Sequence, residues 1–253
     1  MPLNDAEELR LMVSYFVPIE LQRRNFDANS IFAELARRGF KPTPEGVQQV
    51  QPWTKWRGIS AYLGCVAFAD RSGNGFPVGK DLNQEHVTPG QFYSAGIIFF
   101  TQAMIDGLAD WLSKSLPLPI KGGERNFRST QFKRELKKRF PISVGALAAH
   151  HTFLEEVNQY RQVWIHTLAG GAIPMADDNP FLNPEGAGKF LGVPIDPAIS
   201  PDEESYVKRA HESALKNGGR YLYRLDEFTR RIFDGASQFY LDWLRFSLDH
   251  IDQ

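Results

Sequence analysis

The stretch from Gln91 to Leu116, "QFYSAGIIFFTQAMIDGLADWLSKSL", constrains the fold more than any other part of the chain. Its apolar residues recur at intervals of three and four, the spacing that lays an apolar stripe along a helix. Pro117 and Pro119 close it, because proline has no N–H to continue the ladder. A helix this apolar must be covered by other elements. The 253 residues are enough for one large domain or two small ones with a sizeable core.

The downstream sequence supplies such partners. "RSTQFKRELKKRF" has the pattern of an amphipathic helix, and Pro141 ends it. Ser143 is placed to cap a further helix running through "EEVNQYRQVWIHTLAGG" to the stop at Gly170-Gly171. Residues 170–200 are rich in glycine and proline, and are expected to form a long loop with a binding or functional role. Ser200 and Pro201 then start a helix in "SPDEESYVKRAHESALK". Gly218-Gly219 is expected to kink or split it before "RYLYRLDEFTRRIFDGASQFYLDWLRFSLDHI".

The amino-terminal third is less explicit. Asn4 and Glu7 have capping-box spacing, Ser30 to Arg38 suits a second helix, and Thr43-Pro44-Glu45 restarts one that Pro52 interrupts. "GISAYLGCVAFAD" fits a helix or a strand, and "RSGNGFPVGKD" a turn region. The expectation is a mainly all-α chain: a helical bundle over residues 91–253 and an additional, mostly helical segment over residues 1–90.

Charge and cysteine usage narrow the function classes. A net charge of −1 argues against a polycation that coats nucleic acid, though it leaves room for a local basic groove. The single cysteine, Cys65, allows no intramolecular disulfide and no cysteine-based zinc cluster, which suits a reducing compartment. The start, "MPLNDAEELRLM", lacks the pattern of a signal peptide. Uninterrupted apolar runs reach about half of the roughly 20 residues a membrane span requires. A soluble, cytoplasmic protein with no membrane association is expected.

There is no phosphate-cradling glycine loop, no GxSxG elbow and no HExxH motif. His151 and Glu155 stand at i, i+4 but lack a third ligand, so neither a metal nor a cofactor is expected. What remains is "YRQVWIH", in which Arg161 precedes His166 by five residues inside an apolar helix. A guanidinium there is costly unless it is paired or faces a polar cavity. One reading is structural, with His166 on the last carbonyls of the helix and Arg161 paired to Asp106 or a glutamate. The other is catalytic. The same spacing recurs at Arg245/His250, close to the chain end where fraying is expected.

"YRQVWIH", preceded by the long helix containing "FYSAGIIFFTQAMIDGLADWL", resembles the Arg-x4-6-His signature of the HEPN superfamily of ribonucleases. The resemblance covers about residues 91 to 169. It implies an antiparallel helical bundle and an endoribonuclease, independent of metal, often serving in defence or as a toxin. It also implies a homodimer whose composite active site draws Arg161 and His166 from both protomers, with Asp106 as a candidate orienting residue. An antitoxin or regulatory protein is a further implied partner. The residue after the arginine is Gln162, where the family often has Asn, Asp or His. That departure favours the alternative, an inactive HEPN-like module that binds RNA or a protein.

The chemistry of the residues agrees with the catalytic reading. Histidine titrates near neutrality and can move the protons of a 2′-hydroxyl and a leaving 5′-oxygen. The arginine fork suits phosphate oxygens. On a helix, five residues separate two side chains by about 140° and roughly 7.5 Å, too far apart for one protomer to bring both easily to one phosphate. Between Lys121 and Arg139 lie eight cations against two acids. Lys133, Arg134, Lys137, Lys138 and Arg139 are the residues expected to follow an RNA backbone, unless they form a solvated helix face.

Overall fold

The structure is a computed structural model that describes residues 56–75, 84–116, 118–167, 173–175, 190–198 and 206–250. The helices expected before residue 56, and the cap expected at Ser200 and Pro201, lie outside the described residues. Within them the chain is mostly helical, as expected. The helices are α1 (Trp56–Asn74), α2 (Gln84–Ser115), α3 (Thr130–Arg139), α4 (Ser143–Ala149), α5 (His151–Thr167), α6 (Tyr206–Lys216) and α7 (Leu225–His250). Three short strands, β1 (Ile173–Met175), β2 (Phe190–Pro194) and β3 (Leu222–Arg224), form an antiparallel sheet in the order β1-β2-β3.

Several elements differ from the sequence expectation. The ambiguous "GISAYLGCVAFAD" is helical throughout, within α1. Helix α2 starts at Gln84 rather than Gln91 and carries Pro89 inside it. Proline is tolerated there because it stands near the start, where few ladder bonds are lost. The stretch 170–200 is not a bare loop, since β1 and β2 lie in it; both are short, which leaves little period to detect. Ser143 is the first residue of α4 and caps nothing; Ile142 occupies the cap position and offers no side-chain hydrogen bond. The helix expected from Ser143 onward breaks at His150 and restarts as α5.

Gly218 and Gly219 do split their helix. Both have positive φ, +67° and +92°, and the Gly219 N–H reaches back to the Ala214 carbonyl at 2.8 Å. That six-to-one bond ends α6 in a left-handed turn that glycine adopts without strain. By length and composition alone, Pro89–Ser115 of α2 would suffice to cross a membrane, with a mean hydropathy of 1.2 and 44% of its window buried. The uninterrupted runs considered above missed this, because Gln102, Asp106 and Asp110 divide a window that is still apolar on average.

The chain divides into two compact units, to each of which α1, α2, α5 and α7 contribute a segment. One comprises residues 1–67, 103–154 and 236–253. Its core is aromatic: Phe127 lies 5.1 Å from Phe132, 5.0 Å from Phe239 and 4.7 Å from Trp243 between ring centroids. All four rings are fully buried. Helix α3 starts on a Ser129 cap whose hydroxyl accepts from the Phe132 N–H at 3.2 Å.

The other unit comprises residues 68–102 and 155–235 and holds the sheet. Gly73 lies so close to Thr229 that a Cβ would stand 2.8 Å from its hydroxyl oxygen. Beside this contact the buried Asp70 carboxylate pairs with Arg230 at 3.3 Å. The start of α7 is fixed by Glu227, which accepts from the Arg224 N–H at 3.1 Å and from Arg220 at 2.6 Å. Reaching back from the third helical position to the cap N–H is half of a capping box. Burial alone would raise the Glu227 carboxyl, but these hydrogen bonds and the two arginine charges hold it below its ordinary range. A depressed carboxyl stabilises the fold above its unfolded pKa, and that contribution disappears as the pH falls through the folded one. Glu227→Gln should therefore lower the denaturant midpoint at neutral pH, with the gap to the parent chain closing as the pH falls through the lowered carboxyl pKa of the folded state.

Candidate active site

Helix α5 carries the signature, and its burial pattern sets the phase of each position. Val157, Tyr160 and Trp164 are buried and recur at three and four residues, so they define the inward arc. Gln159 and Gln162 are exposed and mark the outer arc. Arg161 falls about 40° from Val157 at roughly 100° per residue, between it and the buried Asn158. It is accordingly half-buried rather than free in solvent.

The inward arc is held firmly on both sides of Arg161. The rings of Tyr160, Trp164 and Phe228 form a triangle with centroid separations of 5.3, 5.0 and 5.8 Å. The Tyr160 hydroxyl shares its proton between the Pro194 carbonyl at 2.7 Å and the Ile195 carbonyl at 3.1 Å. Burial, and then the nearby Glu156 charge, push its pKa well up, so it remains a donor. One turn back, Glu156 takes a two-pronged bond from Arg231 at 2.8 and 3.0 Å. Arg231 also lies over the Tyr223 ring of β3, 5.6 Å from its centroid. Helix α5 is thus tied to α7 and to the sheet on either side of Arg161.

Arg161 makes no ion pair with another described residue, in contrast to the pairing with a glutamate considered above. Its neighbour on the arc, Asn158, has a buried side-chain oxygen with no hydrogen-bond partner. A half-buried guanidinium beside an unmet acceptor makes a polar spot on an otherwise apolar helix face. It suits an anionic group that brings donors of its own. Sequence reasoning passed over Asn158 and Tyr160, whose only signal was their position three residues and one residue before Arg161. His166 belongs to the last turn of α5, five residues on, with its side chain outside the described residues. By helical position it falls near Gln159 and Gln162, about 140° round from Arg161.

The other expected site residues lie in the aromatic unit. Asp106 is exposed on α2 rather than enclosed by apolar neighbours. Lys137, Lys138 and Arg139 form the exposed last turn of α3. Cations there also offset the carbonyl end of the helix dipole, which supplies a structural reason for them. Arg134 pairs with Glu135 at 3.0 Å, whereas Lys133, Lys137 and Lys138 form no ion pair with another described residue. Phe127 and Phe132, which flank the start of α3, are fully buried.

His150 had no signal in the sequence and is placed in the interior. Its Nε2 lies 2.9 Å from an Asp242 oxygen, and its ring meets the Phe239 ring edge-on at 5.2 Å. Gln238 donates to the other oxygen of Asp242 at 2.9 Å. Among the described residues no group of three or more His, Cys, Asp or Glu side chains could hold a metal ion. No protein-family model, curated protein or solved structure matches the chain.

Proposed function

We propose that this protein is an endoribonuclease that cleaves RNA by attack of the 2′-hydroxyl on the adjacent phosphorus, without a metal ion. The observation that carries this reading is the half-buried Arg161, unpaired among the described residues and on the same helix as His166. Arg161 holds the non-bridging phosphate oxygens and gains strength as charge develops on them. The 2′-oxygen forms a bond to phosphorus, the bond to the 5′-oxygen breaks, and the products are a 2′,3′-cyclic phosphate and a 5′-hydroxyl. One imidazole takes the 2′-proton and another returns a proton to the 5′-oxygen. With Arg161 and His166 about 140° apart on α5, two protomers facing one cleft would supply both sets. A cytoplasmic defence or toxin role follows from the same resemblance, with an antitoxin or regulatory protein as a partner.

The test is cleavage of mixed cellular RNA in excess EDTA by the parent chain beside His166→Ala. The expected result is cleavage by the parent alone, leaving cyclic-phosphate ends, with DNA spared because it has no 2′-hydroxyl. Equal silence from two folded proteins would favour an inactive module that binds RNA or a protein, the reading to which Gln162 points.

A further inference from the structure

The pair set aside in the sequence, Arg245 and His250, is not on a loose end. The His250 ring lies 5.2 Å from Phe140 at an interplanar angle of 35°, and 4.7 Å from Phe246. Phe140 in turn meets Phe246 edge-on at 5.6 Å, and the Arg139 guanidinium lies 5.7 Å from the Phe140 centroid. These contacts bring the last turn of α3 against the last turns of α7. Lys137, Lys138 and Arg139 thereby share one end of the aromatic unit with the exposed Arg245. Phe140 and His250 are each only half-buried. Asp242 lies 3.9 Å from Arg245 and is already engaged by His150 and Gln238.

We infer that this end of the molecule is a binding subsite for single-stranded RNA. The inference rests on the RNA reading above but uses none of the residues of the proposed catalytic site. The Arg139 guanidinium over the Phe140 ring, with the half-buried His250 ring beside it, makes a cationic and aromatic surface suited to unpaired bases, whose faces a duplex conceals. Four exposed cations on these two helix ends can neutralise a flexible phosphate backbone. Lysines at a helix end need no aromatic neighbours to offset a dipole, so helix stability alone does not account for the combination. The exposed Ile142 and Val144, at 71% and 40%, lie just beyond and suggest a competing occupant, an anionic bilayer surface. The rings favour the nucleic acid.

The experiment uses the full chain and a fluorescent 12-nucleotide oligouridine methylated at every 2′-oxygen, which cannot be cleaved by the proposed route. Fluorescence anisotropy against salt gives affinity and slope. The single strand should bind more tightly than the same strand paired with its complement. Lys137→Glu with Lys138→Glu should weaken binding and lower the salt slope by about 1.4, at roughly 0.7 for each phosphate no longer neutralised. Phe140→Leu keeps an apolar side chain against Phe246 and should cost about tenfold in single-strand affinity with the slope unchanged. Equal binding of the duplex, or full affinity in Phe140→Leu, overturns the inference. So does displacement of the oligonucleotide by phosphatidylserine vesicles together with insensitivity to Phe140→Leu, which would assign the patch to lipid. Absent binding with Arg161-dependent cleavage of ordinary RNA would sink the subsite and leave the ribonuclease standing. Binding as described with no cleavage would do the reverse.

Discussion

Arg161→Lys is expected to leave a folded protein that cleaves RNA at least about a hundredfold more slowly. Lysine keeps the charge but loses the planar fork that can hold two phosphate oxygens at once. It also carries its charge on a flexible stem, and must place it between Val157 and Asn158 on the inward arc of α5. The structural cost should be small, because Arg161 makes no ion pair with another described residue. The check is single-turnover cleavage beside a thermal melt. Wild-type rates in the variant would remove Arg161 from the phosphate. A collapse of both melting and activity would mean that the guanidinium serves the fold.

The second large effect concerns stability. Tyr160→Ala should cost about 4 kcal/mol, since it deletes a fully buried ring from the triangle with Trp164 and Phe228. Tyr160→Phe keeps the ring and loses only the hydroxyl, leaving the Pro194 and Ile195 carbonyls without their donor. That change should cost about 1 to 2 kcal/mol. Urea denaturation of the three proteins reads both numbers. A ratio near one between the two variants would mean that the hydroxyl, rather than ring packing, anchors α5 to the strand. The two effects also bear on activity, because Tyr160 is the residue next to Arg161. Loosening it should slow cleavage even where the protein remains folded, and Tyr160→Phe is mild enough to show this.

The helices were legible because a period of three and four needs only apolar contrast, which α2, α3 and α7 have in abundance. Chain breaks marked by Gly218-Gly219 were legible because glycine adopts the left-handed backbone found there most readily. The strands were not, since β1 and β3 have three residues each and β2 has five. Strands so short are stabilised by contacts distant in sequence, such as Tyr160 with Pro194. Spacing located Arg161 on a helix but could not tell which way it faced. That depended on which of its neighbours are buried, a property of the folded chain. His150 shows the same limit. Its partner Asp242 is 92 residues away, and no local pattern signals that pairing.

The small sheet has a consequence for how the protein behaves in a crowded solution. Among the described residues its outer strand β1 pairs on one side only, and it is three residues long with Pro174 at its centre. A strand with an open side ordinarily invites a neighbouring molecule to add its own, the first step toward aggregation. Pro174 has no N–H to donate to an incoming strand, and three residues give it almost no length to grip. Growth of the sheet is blocked at that edge.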